Sequence, residues 1–190
     1  MDAVAAFDKS LFLAINGSSG APWLDQIMLV LSAHLTWLVV AVVAIAFAVV
    51  RRSRRGLVVC LLVAIAIALS DLFAFQVLKP YFARLRPCHM LADLVRLVQS
   101  GCGGDFGFPS NHAANAMAAA TVLVLAGRRS YPWTWSLLLL AGLIGLSRIY
   151  LGAHYPGDVL AGFLLGAAIG WGTYTAYGTI KDRRSGRKPG

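Results

Sequence analysis

Acidic side chains are scarce in this chain of 190 residues: there are eight, all aspartate, against 17 Lys and Arg, for a net charge of +9. No separate carboxylate cluster is available to hold a divalent cation, so no metal is expected. Charge of either sign is also rare. Only 13% of residues are charged while 58% are hydrophobic, with a mean hydropathy of +0.70, which excludes a water-soluble domain of ordinary composition. The three cysteines, Cys60, Cys88 and Cys102, lack zinc-site spacing. No internal repeat or low-complexity segment is present. The opening stretch Val4 to Ile15 lacks the basic start and long apolar middle of a secretory signal.

What the chain has instead is apolar runs bounded by charge. A helix needs about 20 apolar residues to cross the hydrocarbon core. Five runs fit: Gln26 to Val50, Gly56 to Leu78, Ser110 to Ala126, Pro132 to Ser147 and Asp158 to Tyr177, the third and fourth near the short limit. The expected fold is all-α, a polytopic membrane helix bundle of about five transmembrane helices, with Val4 to Ile15 as an amino-terminal interfacial helix. The expected organisation is a single domain over 1–190. It comprises an outer or interfacial segment at 1–25, a bundle at 26–180 and a basic tail at 181–190.

The basic residues sit in clusters at the ends of the apolar runs, which argues for membrane orientation and against a nucleic-acid partner. Arg51, Arg52, Arg54, Arg55, Arg128, Arg129, Lys181, Arg183, Arg184, Arg187 and Lys188 fall on one side, 11 of the 17, and the positive-inside rule makes that side cytoplasmic. The amino terminus is then outside. Lys79, Arg86 and Arg148 lie on the outer side with Lys9, Arg84 and Arg96, and the last three have no chemistry assigned by pattern. Gly162, Gly166 and Gly170, four residues apart, give the last helix a face for close packing, within the chain or against a second copy. The oligomeric state is left open.

Three blocks share the outer side. The first, Lys79-Pro80-Tyr81-Phe82-Ala83-Arg84-Leu85-Arg86-Pro87, places two cations where positive charge is disfavoured; the prolines predict a kink or break. Headgroup-snorkelling charges are the bland alternative. The second, Phe108-Pro109-Ser110-Asn111-His112, opens a helix with Ser110 at the cap position, and the unpaired N–H groups of a helix start suit phosphate. His112 in the first turn can carry a proton to a departing oxygen; simple capping by Ser110 and packing by His112 are the alternative. The third runs from Ser147 and Arg148 to His154 and Asp158 across a Pro156-Gly157 turn. A carboxylate on one imidazole nitrogen fixes the tautomer and frees the other nitrogen to attack. Cys88 and Cys102 share one hydrophilic loop, compatible with a disulfide in an oxidising compartment or with free thiols.

Read as K-x6-R-P, P-S-x-H and S-R-x5-H-x3-D in that order, the blocks resemble those of the phosphatidic acid phosphatase type 2 superfamily, which includes glucose-6-phosphatase and the vanadium haloperoxidases. The resemblance is detailed over residues 79 to 158, and Asn111 departs from the glycine of the family's best-known form. It implies that His154 attacks phosphorus, that Asp158 orients it, and that His112 protonates the leaving group and then activates water. Lys79, Arg86, Ser110, Asn111 (through its backbone N–H) and Arg148 would bind the phosphoryl oxygens. No metal or cofactor enters that chemistry.

The implied protein is an enzyme, a metal-independent lipid phosphatase or diphosphatase. It acts on a membrane lipid phosphate at the outer face of a bacterial cytoplasmic membrane through a phosphohistidine. Undecaprenyl diphosphate is the first substrate expected, phosphatidylglycerophosphate the second and lipid A the third. A lipid phosphotransferase using the same intermediate and a non-catalytic transporter are the alternatives. Asp71 and Gln76 stand outside the expected site: Asp71 either braces a site cation, lines the cavity or bonds to a neighbouring helix.

Overall fold

The computed structural model of the chain describes residues 3–17, 20–99, 101–127 and 131–184. Among these the regular structure is helical, with one isolated antiparallel bridge between Leu85 and Phe106. The helices are α1 (Ala3–Asn16), α2 (Pro22–Ser32), α3 (His34–Val50), α4 (Arg54–Phe73), α5 (Lys79–Phe82), α6 (Pro87–Met90), α7 (Asn111–Gly127), α8 (Ser136–Tyr150) and α9 (Pro156–Arg184). Arg128, Arg129, Arg187 and Lys188, four of the charges used to orient the chain, lie outside the described residues.

Three stretches are long and apolar enough to cross a membrane, Arg54–Phe82, Pro132–Tyr150 and Pro156–Arg183, and α2 with α3 makes a fourth if the bent pair is one span. The expected straight span from Gln26 to Val50 is therefore corrected: α2 and α3 meet at 55° around an extended Ala33. Trp37 Nε1 donates to the Leu31 carbonyl at 2.8 Å, satisfying one acceptor left by the break. α7, expected as the third span, has 17 residues.

Ser53 caps α4 by accepting from the Gly56 N–H at 3.0 Å. At the far end the expected break at Pro80 takes a different form. Proline has no N–H for the Gln76 carbonyl, and the ladder widens into a π-turn over Ala74–Leu78 that carries the helix through Pro80. It stops at Ala83, whose φ is +43°. Lys79 thus remains on the helix, buried, while Arg86 lies beyond it in extended backbone.

α7 is the centre of the bundle. Its fully buried Ala113, Ala114 and Ala118 meet the glycine face of α9: a Cβ on Gly162 would lie 2.6 Å from the Ser110 carbonyl, one on Gly170 2.6 Å from that of Ala118, and one on Gly166 would collide with that of Ala114. The small-residue face is thus used within the chain, and it brings the start of α9 against the start of α7. α1 packs across the carboxyl end of α8 and the amino end of α9 through Phe12, which is fully buried against Ile149, Tyr155 and Val159.

Candidate active site

The three blocks converge at the amino-terminal end of α7. Ser110 and Asp158 are joined directly, the Ser110 N–H donating to the Asp158 carbonyl at 2.9 Å, so the close packing of α7 on α9 fixes the second block to the third. Lys79 reaches the loop between α6 and α7, donating from Nζ to the Phe106 carbonyl at 2.9 Å, and the Arg86 N–H donates to that of Asp105 at 3.2 Å.

His154 is 2% exposed and lies in the short loop between α8 and α9. Its Nε2 is 3.4 Å from Arg86 Nη1, and its Nδ1 is 3.6 Å from Asp158 Oδ2, closer to an electrostatic pairing than to a made hydrogen bond. Burial and then the charges of Arg86, Arg148 and Lys79 hold the imidazole well below its ordinary value of 6.5. It is neutral, with a lone pair available. His112 lies against the backbone of Ser32 with its Nε2 unpaired, and its ring lies 4.5 Å from that of His34.

Buried polar groups are normally paired. Here Ser110 Oγ, His112 Nε2, Arg86 Nε, Arg148 Nε and His154 Nδ1 are all buried without a partner. The hydroxyl of Ser110 therefore does not cap α7, which removes the bland reading of that residue. Asn111, expected to offer its backbone N–H, has its side chain turned away, with Nδ2 donating to Asp71 Oδ1 at 2.7 Å. Arg148 is positioned by Ser32 Oγ and by Gln99 Oε1, the latter at 3.2 Å.

Four contributors escaped the sequence reading. Arg84 donates to Asp158 Oδ1 at 2.8 Å and to Asp8 Oδ2 at 2.5 Å, and its guanidinium stacks 4.4 Å over the Tyr155 ring. Its place two residues before Arg86, on the side that charge counting makes unfavourable to cations, was the available signal. Asp8 also accepts from the Gly157 N–H at 2.8 Å, so α1 holds the turn that carries Asp158. Gly107 lies where a Cβ would stand 2.9 Å from Asp158 Oδ2, so its bare backbone leaves room for that carboxylate. Ser32, at the α2–α3 break, serves both His112 and Arg148. Cys88 and Cys102 form a disulfide with Cα atoms 6.0 Å apart, closing the loop that begins beside Arg86. An apolar cleft of about 740 Å³ between α4 and α9 holds none of these polar groups; Leu69, Leu72, Phe73, Leu165 and Ile169 line it.

A buried imidazole and a half-buried one among cations without a counter-charge, at one end of a membrane helix bundle, define a membrane enzyme that works on phosphate esters. The sequence profile of the PAP2 superfamily matches residues 57–182, and the chain belongs to that superfamily. It is 34% identical to a lipid A 4'-phosphatase of Bacteroides thetaiotaomicron over 86% of this chain and 74% of that protein. It is 31% identical to an undecaprenyl-diphosphatase of Sulfolobus acidocaldarius, over 86% and 75% respectively. The crystal structure of a transmembrane PAP2-type phosphatidylglycerolphosphate phosphatase from Bacillus subtilis superposes with a TM-score of 0.70 at 27% identity, covering 95% of this chain and 89% of that one.

Proposed function

We propose that the chain hydrolyses a lipid phosphate or diphosphate at the outer face of a bacterial cytoplasmic membrane through a phosphohistidine on His154. The observation that carries this reading is the buried neutral imidazole of His154 with Arg86 Nη1 3.4 Å from its Nε2 and the unpaired Nε2 of His112 in the same pocket. Nε2 of His154 attacks phosphorus while the bond from phosphorus to the leaving oxygen breaks. His112, which takes up a proton from solvent as the anionic phosphate enters beside it, gives that proton to the leaving oxygen. Lys79, Arg86, Arg148, Ser110 and the backbone N–H of Asn111 bind the equatorial oxygens as charge spreads over them. The phosphorylated ring, carrying its proton on Nδ1, is a cation that Asp158 Oδ2 stabilises. His112, now neutral, takes a proton from water; the hydroxide attacks phosphorus, the P–N bond breaks, and phosphate leaves.

The relatives' names cover all three substrates expected from the sequence, so family membership ranks none of them. Detergent-purified protein, without added metal, is to be assayed against undecaprenyl diphosphate, lipid A 4'-phosphate and phosphatidylglycerophosphate. Phosphate release from at least one is expected, with His154→Ala reducing it by at least about 10³-fold. Full activity in that variant, or abolition of wild-type activity by a chelator, refutes the mechanism. The outer placement is tested by Asp105→Cys: an impermeant thiol reagent is expected to label it in intact cells, and labelling only after lysis overturns the orientation.

A further inference from the structure

Asp71 stands in the span Arg54–Phe82, two turns and so about 12 Å below Lys79, with its side chain exposed on the flank of α4. A carboxylate at that depth is costly unless it faces a polar space or a ligand. Its Oδ1 accepts from Asn111 Nδ2 at 2.7 Å and from Asn115 Nδ2 at 3.2 Å, one turn apart on α7. With one N–H of each amide turned to the carboxylate, both amide oxygens point elsewhere. Asn111 Oδ1 and Asn115 Oδ1 are buried and have no partner. The cluster is therefore a set of acceptors with unmet need for donors: two amide oxygens and the outer edge of a carboxylate.

Its position says which part of a substrate meets it. On the reading given above, His112 protonates the leaving oxygen, so the leaving group lies beside His112 and away from His154. Asn111 precedes His112 in the first turn of α7, and Asn115 lies one turn deeper. We infer that Asp71, Asn111 and Asn115 form a subsite that receives hydroxyl donors of the group bearing the phosphate, a sugar or glycerol headgroup. A hydroxyl gives these oxygens what they lack. A diphosphate brings the reverse, because its second phosphoryl group is an acceptor-only anion placed against a carboxylate and two carbonyl oxygens. The subsite thus favours a hydroxyl-bearing lipid monophosphate over a polyprenyl diphosphate. This inference rests on the phosphatase mechanism and adds the substrate class to it.

The experiment compares kcat/KM on four substrates: a glucosamine-based lipid phosphate, phosphatidylglycerophosphate, undecaprenyl diphosphate, and dodecyl phosphate, which has neither hydroxyl nor second phosphate. Asn115→Ala is expected to lower kcat/KM at least about tenfold on whichever hydroxyl-bearing lipid is preferred, sugar or glycerol, and to leave dodecyl phosphate within about threefold. Asp71→Asn keeps the shape, so it remains informative if Asn115→Ala fails to fold. It is expected to shift the ratio of hydroxyl-bearing lipid to diphosphate by at least about tenfold toward the diphosphate. Equal losses on all four substrates, or a wild-type preference for the diphosphate, overturn the subsite while leaving the phosphatase reading intact. Absence of release from every substrate by the wild type, dodecyl phosphate included, overturns that reading and the subsite with it.

Discussion

Arg84 is the residue on which the geometry places the largest untested demand. It joins two carboxylates: Asp158, fully buried, at 2.8 Å, and Asp8, buried on α1, at 2.5 Å. Its own side chain is about a third exposed, 32%. Removing one partner of a buried ion pair costs about 3–5 kcal/mol because the other charge is left unpaired; with solvent reaching this guanidinium the expected loss for Arg84→Ala is about 2–3 kcal/mol. That corresponds to a fall in melting temperature of about 5–10 °C. Activity should fall further than stability suggests. Asp158 would keep only the Tyr155 N–H, at 3.0 Å, and a displacement of about 1 Å at the group that orients His154 costs on the order of 10²-fold in kcat. KM should change little, since Arg84 positions Asp158 and does not touch phosphate. Arg84→Lys should not restore kcat, because an ammonium cannot bridge both carboxylates in one plane. Asp8→Asn added to Arg84→Ala removes one of the two orphaned charges, so it should recover part of the stability but none of the kcat. Thermal unfolding in detergent and phosphate release from a lipid phosphate measure both quantities. A kcat for Arg84→Ala within threefold of wild type, or strictly additive effects in the double variant, would refute the reasoning.

Three other outcomes follow from the same structure. His154 is held neutral when folded, below its ordinary value of 6.5, so below that pH the unfolded chain binds a proton that the folded chain refuses; stability should fall as pH drops below about 6.5, and His154→Gln should flatten that slope in pH-dependent unfolding. The Cys88–Cys102 disulfide spans 14 residues, worth about 3 kcal/mol by loop closure, so reductant or Cys88→Ser should lower the melting temperature; an unchanged value would show that the loop is ordered without it. Gly166→Ala drives a methyl into the Ala114 carbonyl and should cost about 2–3 kcal/mol, whereas Gly172→Ala, where an added Cβ meets no atom within 4 Å, should be close to neutral. Parallel melting curves for the two alanine variants check this pair.

The three blocks that the structure brings together were legible because polar residues on an apolar background are conspicuous. Lys79, Arg86, Arg148, His112, His154 and Asp158 interrupt or bound apolar runs, and chain order alone puts them on one side of a bundle. The glycine spacing of α9 was equally visible, although only the structure shows that it meets Ala114 and Ala118 of α7. What sequence could not show is set by distant pairing. Asp8 and Arg84 are 76 residues apart in unrelated segments, and no periodicity connects them. The break at Ala33 is hidden for another reason. Residues 26–50 contain neither proline nor glycine, so hydropathy runs through them unbroken. The bend is a tertiary effect: it ends α2 at Ser32, whose hydroxyl meets Arg148 and whose backbone lies against His112.

The charge balance of the pocket explains why this arrangement suits phosphate. Among the described residues no carboxylate lies within ion-pair distance of Lys79, Arg86 or Arg148, since the nearby Asp158 is engaged by Arg84, the Tyr155 N–H and the edge of His154. Arg84 thus does two things. It holds Asp158 in place, and by occupying Oδ1 it leaves the three site cations without a protein counter-charge. Two buried cations, Lys79 and Arg148, and the half-buried Arg86 are costly to the folded chain without a counter-charge. Part of that cost is returned when an anion with several acceptor oxygens enters, and more of it in the transition state, when charge is spread over all three equatorial oxygens. Beside the start of α7 the polarity reverses, with the Asp71 carboxylate and the unpaired amide oxygens of Asn111 and Asn115 offering acceptors. A substrate that is anionic at one end and rich in hydroxyl donors at the next few atoms satisfies both halves at once.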